Sequence, residues 1–231
     1  MMRCVQEGHE IVALANLYPT ESEELDSYMY QSVGHDAIVA YAECLNLPLY
    51  RRAISGRPVN LEYDYAPTER DEVEDLYELL VQVQREHPDV QGVSSGAILS
   101  TYQKNRVENI CLRLGMTSLA YLWAAEQHTL LQDMIDSQLQ AIIIKVAVFG
   151  LDKNDLGKSL AELQPKLVNL AGKFGINVCG EGGEFESLTL DCPLFKRRLV
   201  IDETTTVIHK ESESAQVAYL KITKWHLEEK Q

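Results

Sequence analysis

The order of the apolar segments in the first half of the chain is the feature that most constrains its fold. Short, nearly continuous apolar runs are typical of strands buried on both faces of a parallel sheet. The predicted strands are residues 11–15, 47–54 and 90–94. Apolar residues at helical spacing predict helices over residues 28–46, 68–87 and 100–114. Strands that alternate with helices through short connections predict βαβ units in a doubly wound, Rossmann-like parallel sheet.

The pattern changes after Trp123. Helices are predicted over residues 129–137 and 158–173, and strands over 141–149, 198–201, 205–209 and 216–225. The last three strands follow one another closely and read as antiparallel. We therefore predict an α/β domain of nucleotide-binding type over residues 1–124 and a smaller α+β domain over residues 125–231.

The first residues read as the end of a helix, with Gly8 as the residue that stops it. A doubly wound domain ordinarily begins with a strand, and the loop after that strand binds phosphate at the start of the first helix. We therefore expect that the first strand and its phosphate loop are not part of this sequence.

Composition and charge narrow the class of protein. The formal net charge of −14 disfavours a nucleic acid held through its phosphates and fits a basic partner better. The chain has neither an apolar run of membrane-spanning length nor a signal-peptide pattern, so we expect a cytoplasmic protein with no membrane partner. Its five scattered cysteines argue against a disulfide framework or a zinc site.

The segment of the chain with the densest group of candidate functional residues is residues 180–187, Gly-Glu-Gly-Gly-Glu-Phe-Glu-Ser. It contains three glycines and three glutamates. Glycines allow a sharp bend, and the glutamates between them can point into one space. Such a bend suits a cation, either Mg²⁺ or the ammonium group of a substrate. The alternative is a tight turn whose glutamates are only solvated. We call residues 180–187 the acidic bend.

With these pieces placed, the chain resembles the ATP-pyrophosphatase domain of diphthine–ammonia ligases. The matching segments are residues 69–80, 92–108, 114–115, 122–123, 145–147, 150–152, 157–158, 175–177, 180–187 and 193–195. The resemblance implies a HUP-type sheet that binds ATP with Mg²⁺. It also implies that the carboxylate of diphthine, the modified histidine of translation elongation factor 2, is activated as an acyl-adenylate. Ammonia then displaces AMP to give diphthamide.

One departure from that family concerns the phosphate loop. The family's loop of Ser-Gly-Gly-x-Asp-Ser type precedes its first helix, and this sequence has no counterpart. We therefore expect this polypeptide by itself to bind pyrophosphate poorly and to have little ligase activity.

The resemblance and the predicted topology together select the candidate site residues. The nucleotide-binding candidates are Ala15, Asn16, Gly96, Ala97 and Ile98. The substrate-binding candidates are Tyr102, Gln103, Arg106, Trp123, Gly182 and Gly183. Gly96 to Ile98 could instead form an ordinary tight turn. Arg106 could bind a phosphate or carboxylate, or could form a structural ion pair with Glu108 or Glu69.

The three glutamates of the acidic bend, Glu181, Glu184 and Glu186, are the candidate catalytic residues. One or two of them are predicted to face the quaternary ammonium group of diphthine or the incoming ammonia, while the third orients the bend. Aromatic faces for that ammonium group could come from Phe185, Trp123 or Tyr102. The long loop at residues 55–67 could act as a lid, or could simply be mobile.

Two other functions stay open at this point. The chain could be another ATP-pyrophosphatase that modifies tRNA, although its low isoelectric point argues against this. It could also be a non-catalytic scaffold that binds elongation factor 2 and competes with an active ligase. The oligomeric state cannot be predicted from these residues.

Overall fold

The computed structural model describes residues 1–20, 27–211 and 216–230. The chain divides into two compact units. The first consists of Met1–His35 with Leu47–Ala124, and the second of Asp36–Asn46 with Ala125–Gln231. Asp36–Asn46 therefore belongs to the second unit, whereas the sequence placed it in the first domain. The division of nucleotide binding and substrate recognition between two domains stays a prediction.

The secondary structure contains both parallel and antiparallel elements. The α-helices are α1 Met2–Gln6, α2 Tyr41–Leu45, α3 Glu72–Glu86, α4 Thr101–Leu114, α5 Gln127–Asp136 and α6 Leu160–Phe174. The strands are β1 Leu14–Pro19, β2 Leu49–Ile54, β3 Gly92–Ser94, β4 Thr117–Leu119, β5 Gln140–Val146, β6 Phe185–Asp191, β7 Arg197–Glu211 and β8 Gln216–Glu229. Short 3₁₀ turns lie at Ala37–Ala40 and Lys153–Asp155. None of the helices in the described residues is long and apolar enough to cross a membrane.

The first unit contains the predicted parallel strands, but as two separate pairs. Strand β1 pairs with β2, with Leu14 opposite Leu49, and β3 pairs with β4, with Gly92 opposite Thr117. In the described residues these pairs form two two-stranded sheets rather than one continuous sheet. Strand β4 was not predicted, because its three residues are too short to show a period.

Helix ends in the first unit follow local capping rules. Helix α4 begins after Ser100, whose hydroxyl accepts from the Gln103 amide, and ends at Gly115 with φ of +68°. Both ends agree with the prediction. The predicted start of α3 at Thr68 is wrong, because Arg70 has φ of +65° and breaks the helical path. The cap is Asp71, whose carboxylate accepts from the Val73 amide at 3.0 Å.

The predicted helix over residues 28–46 is only partly right. Ala37–Ala40 and α2 are helical, whereas Gly34 at φ of +77° lies in a turn before them. Tyr41 takes its place in the second unit, where its ring packs edge-on against Phe195 and its hydroxyl donates to the Thr189 carbonyl at 2.7 Å. The apolar spacing of this segment therefore reflects contacts with distant strands rather than one long helix.

The second unit is an α+β assembly around an antiparallel sheet with strand order β6-β5-β8-β7. Strands β7 and β8 form a long ribbon, and a bulge between Ile201 and Glu203 accounts for the break that the sequence suggested in β7. Strand β6 was not predicted, because half of the acidic bend was taken for loop. Helices α5 and α6 cover an apolar cluster on this sheet, which includes Leu131, Ile143, Leu163, Leu167 and Phe185.

Candidate functional site

The turn after β3 lies where the sequence placed it, between the carboxyl end of a parallel strand and the start of α4. Ala97 and Ile98 are buried, while Gly96 is exposed. The Ile98 carbonyl accepts from the Ala124 amide at 2.8 Å, which fixes the turn. Among the described residues, apart from Gly96 itself and its two chain neighbours, no atom lies within 4 Å of the position that a Cβ on Gly96 would take, so there is open space beside Gly96.

The sequence placed Ala15 and Asn16 at the carboxyl end of their predicted strand. The structure places them elsewhere. Because β1 starts at Leu14 rather than at Ile11, both residues fall in its first half. The Asn16 side chain accepts from Arg51 Nε at 2.8 Å across the parallel pair. Their nucleotide-binding role stays a prediction.

Arg106 is completely buried, at 0% exposure. Its guanidinium stacks on the Tyr102 ring, 3.3 Å from the ring centre, and donates to the Tyr102, Asn60 and Glu62 carbonyls. The predicted ion pair with Glu108 or Glu69 is wrong, since those carboxylates lie beside Lys104 and Arg70. The geometry gives Arg106 a structural role, and substrate binding by this residue stays a prediction.

The other candidates on α4 also hold neighbouring segments. Gln103 Nε2 donates to the Tyr28 carbonyl at 3.1 Å. The ammonium group of Lys104 lies 5.2 Å from the centre of the Trp123 ring. Trp123 therefore already receives a cation on one face, which is the kind of contact that the sequence predicted for a substrate.

The loop that was predicted as a lid or a mobile segment is fastened along its length. We call residues 55–66 the strap. Asp75 accepts from the Ser55 and Gly56 amides at 2.7 and 2.8 Å, and Asp71 accepts from the Val59 and Asn60 amides at 3.0 and 2.8 Å. The hydrogen bonds from Arg106 hold its middle. The strap is therefore an ordered segment held by buried charges.

In the acidic bend, Glu184 is the residue that fixes the backbone. Its carboxylate accepts from the Asn177 and Gly182 amides, each at 2.7 Å. Gly180 and Gly183 have φ of +78° and +81°, a conformation that favours glycine. Of the three roles predicted for the glutamates, Glu184 thus fits the one that orients the bend.

The remaining residues of the acidic bend lie in different surroundings. Glu186 is on β6 and pairs with Lys145 of β5 at 3.0 Å. Phe185 is 5% exposed and belongs to the apolar core, so it offers no face to a substrate, contrary to expectation. Glu181 lies at the turn, half-buried, close enough to Cys179 to raise the pKa of its thiol.

The thiols of Cys44, Cys111 and Cys179 remain protonated at neutral pH. Burial, followed by the nearby Glu181 and Glu126 carboxylates, raises the pKa of Cys179 to about 11. Burial likewise raises the pKa of Cys44 and Cys111 to about 11. Thiolate chemistry of the kind used in sulfur transfer is disfavoured at these residues.

Sequence reasoning missed a buried carboxyl group next to the strap. Glu72, the first residue of α3, is 0% exposed, and among the described residues neither of its carboxylate oxygens has a hydrogen bond of ordinary geometry. Burial raises its pKa, although the Ser27 hydroxyl and the Met29 amide act in the opposite direction. The only signal in the sequence was the density of acidic residues at 69–75, which does not reveal which of them faces inward.

Comparison with known proteins identifies the class to which these two units belong. Residues 1–118 match the family model of the diphthamide synthase N-terminal domain, and residues 126–224 match that of the diphthamide synthase C-terminal domain. Both matches are to domain models of the diphthamide synthase family.

Individual relatives of this chain identify the family by name. The chain is 57% identical over 235 residues to the diphthine–ammonia ligase of Mus musculus and 55% identical over 235 residues to that of Homo sapiens, covering 100% of this chain and 88% of each relative. It is also 57% identical over 223 residues to the Schizosaccharomyces pombe enzyme, covering 96% of this chain but only 36% of that protein. The chain belongs to the diphthine–ammonia ligase family, which is a family of ligases.

Proposed function

We propose that this protein acts in diphthamide biosynthesis, in the ATP-dependent amidation of diphthine on translation elongation factor 2. The observation that carries the proposal is the identity of 57% to a diphthine–ammonia ligase across the whole chain. The two parallel strand pairs with helices between them are consistent with a HUP-type nucleotide-binding unit. A cytoplasmic location is part of the same proposal.

The chemistry requires a carboxylate to become reactive toward an amine. In the proposed reaction, the diphthine carboxylate attacks the α-phosphorus of ATP and pyrophosphate leaves. Ammonia then attacks the acyl carbon, the bond from that carbon to the adenylate oxygen breaks, and AMP departs with the electron pair. The amide is formed when the added nitrogen loses a proton.

The turn of residues 96–98 is the part of the first unit that best fits the nucleotide. It leaves open space at Gly96, and the first turn of α4 carries no acidic residue that would repel a phosphate. No cluster of three or more His, Cys, Asp or Glu side chains suited to a metal occurs in the part of the chain that the structure describes. Mg²⁺ would therefore be held mainly by the phosphates of ATP, and we assign no residue to it.

The acidic bend supplies negative charge for a cationic group. Glu181, Glu126 and Glu184 all act on the pKa of Cys179 in the same direction, so their potential converges beside the bend. We propose that Glu181 attracts the quaternary ammonium of diphthine, while Glu184 keeps the bend in shape. Trp123 is retained as a candidate aromatic contact and Phe185 is not.

Two conservative substitutions separate these roles. Glu181→Gln is expected to raise the KM for diphthine-bearing elongation factor about tenfold, since it removes the negative charge that we propose attracts the ammonium group. Glu184→Gln is expected to destabilise the second unit by about 1–2 kcal/mol, because it weakens two charge-assisted bonds. Steady-state kinetics and thermal unfolding measure these effects. An unchanged KM in the Glu181 variant would remove this residue from substrate recognition.

A direct assay tests the overall proposal and its alternative. The full chain is mixed with ATP, ammonium and diphthine-bearing elongation factor 2, and amide formation and ATP–pyrophosphate exchange are followed. Amidation above the background without protein supports the ligase. Binding of the factor without exchange would favour the non-catalytic scaffold.

A further inference from the structure

The strap combines an exposed apolar surface with an unusually firm attachment. Val59, Leu61 and Tyr63 are 55%, 61% and 69% exposed. Large apolar side chains that are exposed next to one another mark interaction sites more often than isolated ones do. The three residues lie within five positions of one another on the strap, and we call their exposed side chains the patch.

Buried charged residues fix the backbone that carries this patch. Asp71, Asp75 and Arg106 are 1%, 5% and 0% exposed, and all of them bond to strap amides or carbonyls. Asn105 Nδ2 adds a bond to the Tyr63 carbonyl at 3.1 Å. Burying three charged groups has a large desolvation cost, which an unconstrained surface loop would not require.

The charge of the patch indicates the kind of partner it fits. Glu62 and Asp64 are exposed and alternate with Leu61 and Tyr63 along the strap. Within the described residues, neither carboxylate takes part in an ion pair, whereas Lys104 nearby on α4 is already paired with Glu108 at 2.6 Å. An apolar patch bordered by unpaired carboxylates is complementary to an apolar patch bordered by Lys or Arg.

From these observations we infer that the strap is a preorganised docking ridge for the protein acceptor, which it contacts through an apolar surface bordered by basic side chains. This inference rests on the proposed function, since a small-molecule acceptor would need no such ridge. A rigid ridge loses little conformational entropy on binding, so a few exposed side chains suffice for affinity. Arg106 and Asp71 act here as positioning residues, through the backbone of the strap.

The experiment compares two strap variants with matched surface controls. The apolar variant is Leu61→Ser with Tyr63→Ser, and the charge variant is Glu62→Lys with Asp64→Lys. The controls are Val168→Ser, an exposed apolar residue on α6, and Glu78→Lys with Asp89→Lys, two exposed acidic residues of the first unit. Affinity for diphthine-bearing elongation factor is measured by biolayer interferometry at low and high salt, with ATP binding and thermal unfolding of each variant alongside.

Both strap variants are expected to bind the factor about tenfold or more weakly, and the charge variant is expected to lose most of the salt dependence. ATP binding and unfolding midpoints are expected to match those of the starting protein, as are all properties of the controls. Binding by the strap variants within twofold of the starting protein overturns the docking ridge, while amidation by the starting protein still supports the ligase. If the starting protein does not bind the factor at all, both the ridge and the proposed function are overturned.

Discussion

The two units hold their candidate sites in different ways. In the first unit, buried charged side chains fix the strap, which has no regular secondary structure. Asp71, Asp75 and Arg106 form hydrogen bonds with its backbone. In the second unit, the acidic bend leads directly into β6, lies over an apolar cluster and needs one bracing carboxylate, Glu184. The order of the first site therefore depends on a few polar groups, and that of the second on glycine geometry and sheet pairing.

The largest effect is expected from breaking the polar anchoring of the first unit. Arg106→Met keeps much of the apolar stem but leaves the Asn60 and Glu62 carbonyls without their donor. It also removes the positive charge that lowers the pKa of buried Glu72. We expect a loss of about 3–5 kcal/mol in the free energy of unfolding, measured by urea denaturation. Lys104→Met, which breaks a half-exposed ion pair on the same helix, should cost about 0.5 kcal/mol or less.

A result that reversed this order would show that the strap is held by something other than Arg106. Hydrogen exchange of the strap amides provides the second measurement. Protection at Val59 and Asn60 should fall in the Arg106 variant and not in the Lys104 variant, because Arg106 bonds to the strap whereas Lys104 pairs with Glu108.

An intermediate effect is expected from the backbone of the acidic bend. At Gly180, an added Cβ would meet the Phe185 carbonyl oxygen at 2.7 Å, whereas at Gly183 nothing lies within 4 Å, although both have positive φ. Gly183→Ala should therefore cost about 1 kcal/mol from φ alone. Gly180→Ala should cost about 2–3 kcal/mol, since the clash with backbone adds to it. Equal unfolding midpoints for the two variants would mean that the bend relaxes freely, contrary to this account.

The smallest effect is expected in the pH dependence of the free energy of unfolding, which should differ between a buried carboxyl group of the first unit and one of the second. Burial raises the pKa of Glu72 above its ordinary value of 4.5, so its charged form destabilises the fold near neutral pH. In the second unit, burial opposes ionisation of Asp155, but hydrogen bonds from Lys166, the Asp152 amide and Lys158 lower its pKa below 3.8. Its stabilisation is therefore complete above 3.8 and is lost as the pH falls through the lower folded-state value.

The corresponding variants should move in opposite directions. Glu72→Gln should be at least as stable as the starting protein at about pH 7, and this advantage should shrink as the pH falls toward the ordinary carboxyl range. Asp155→Asn should be less stable at about pH 7, by about 1 kcal/mol, and the deficit should close in strong acid. Unfolding midpoints across this range test both, and parallel pH profiles would contradict the assignment.

The sequence predicted those parts of the fold that depend on local signals. Ser100 and Gly115 bound α4 as expected, because an N-cap and a left-handed glycine act within one turn of the helix. The segment 28–46 was only partly predicted, since its apolar residues satisfy a helical period while Tyr41 in fact packs against Phe195, more than a hundred residues away. Contacts at that separation leave no periodic trace.

The candidate site was predictable to a similar extent. The turn at Gly96 was placed correctly from a strand followed by a capped helix. The bracing role of Glu184 could be framed as one of three possibilities, but choosing among Glu181, Glu184 and Glu186 required the positions of the Asn177 and Gly182 amides. The inward orientation of Arg106 was not visible either, because its partners are backbone carbonyls, which every residue carries.

The contact between Lys104 and Trp123 makes the fluorescence of Trp123 sensitive to the position of the Lys104 ammonium group. The sequence has two tryptophans, so Trp225→Phe leaves Trp123 as the single indole emitter. A cation 5.2 Å from the ring centre perturbs the excited state of an indole, and its displacement changes the intensity and wavelength of emission. Any movement of Lys104 away from Trp123 can therefore be followed by intrinsic fluorescence, without labelling the protein.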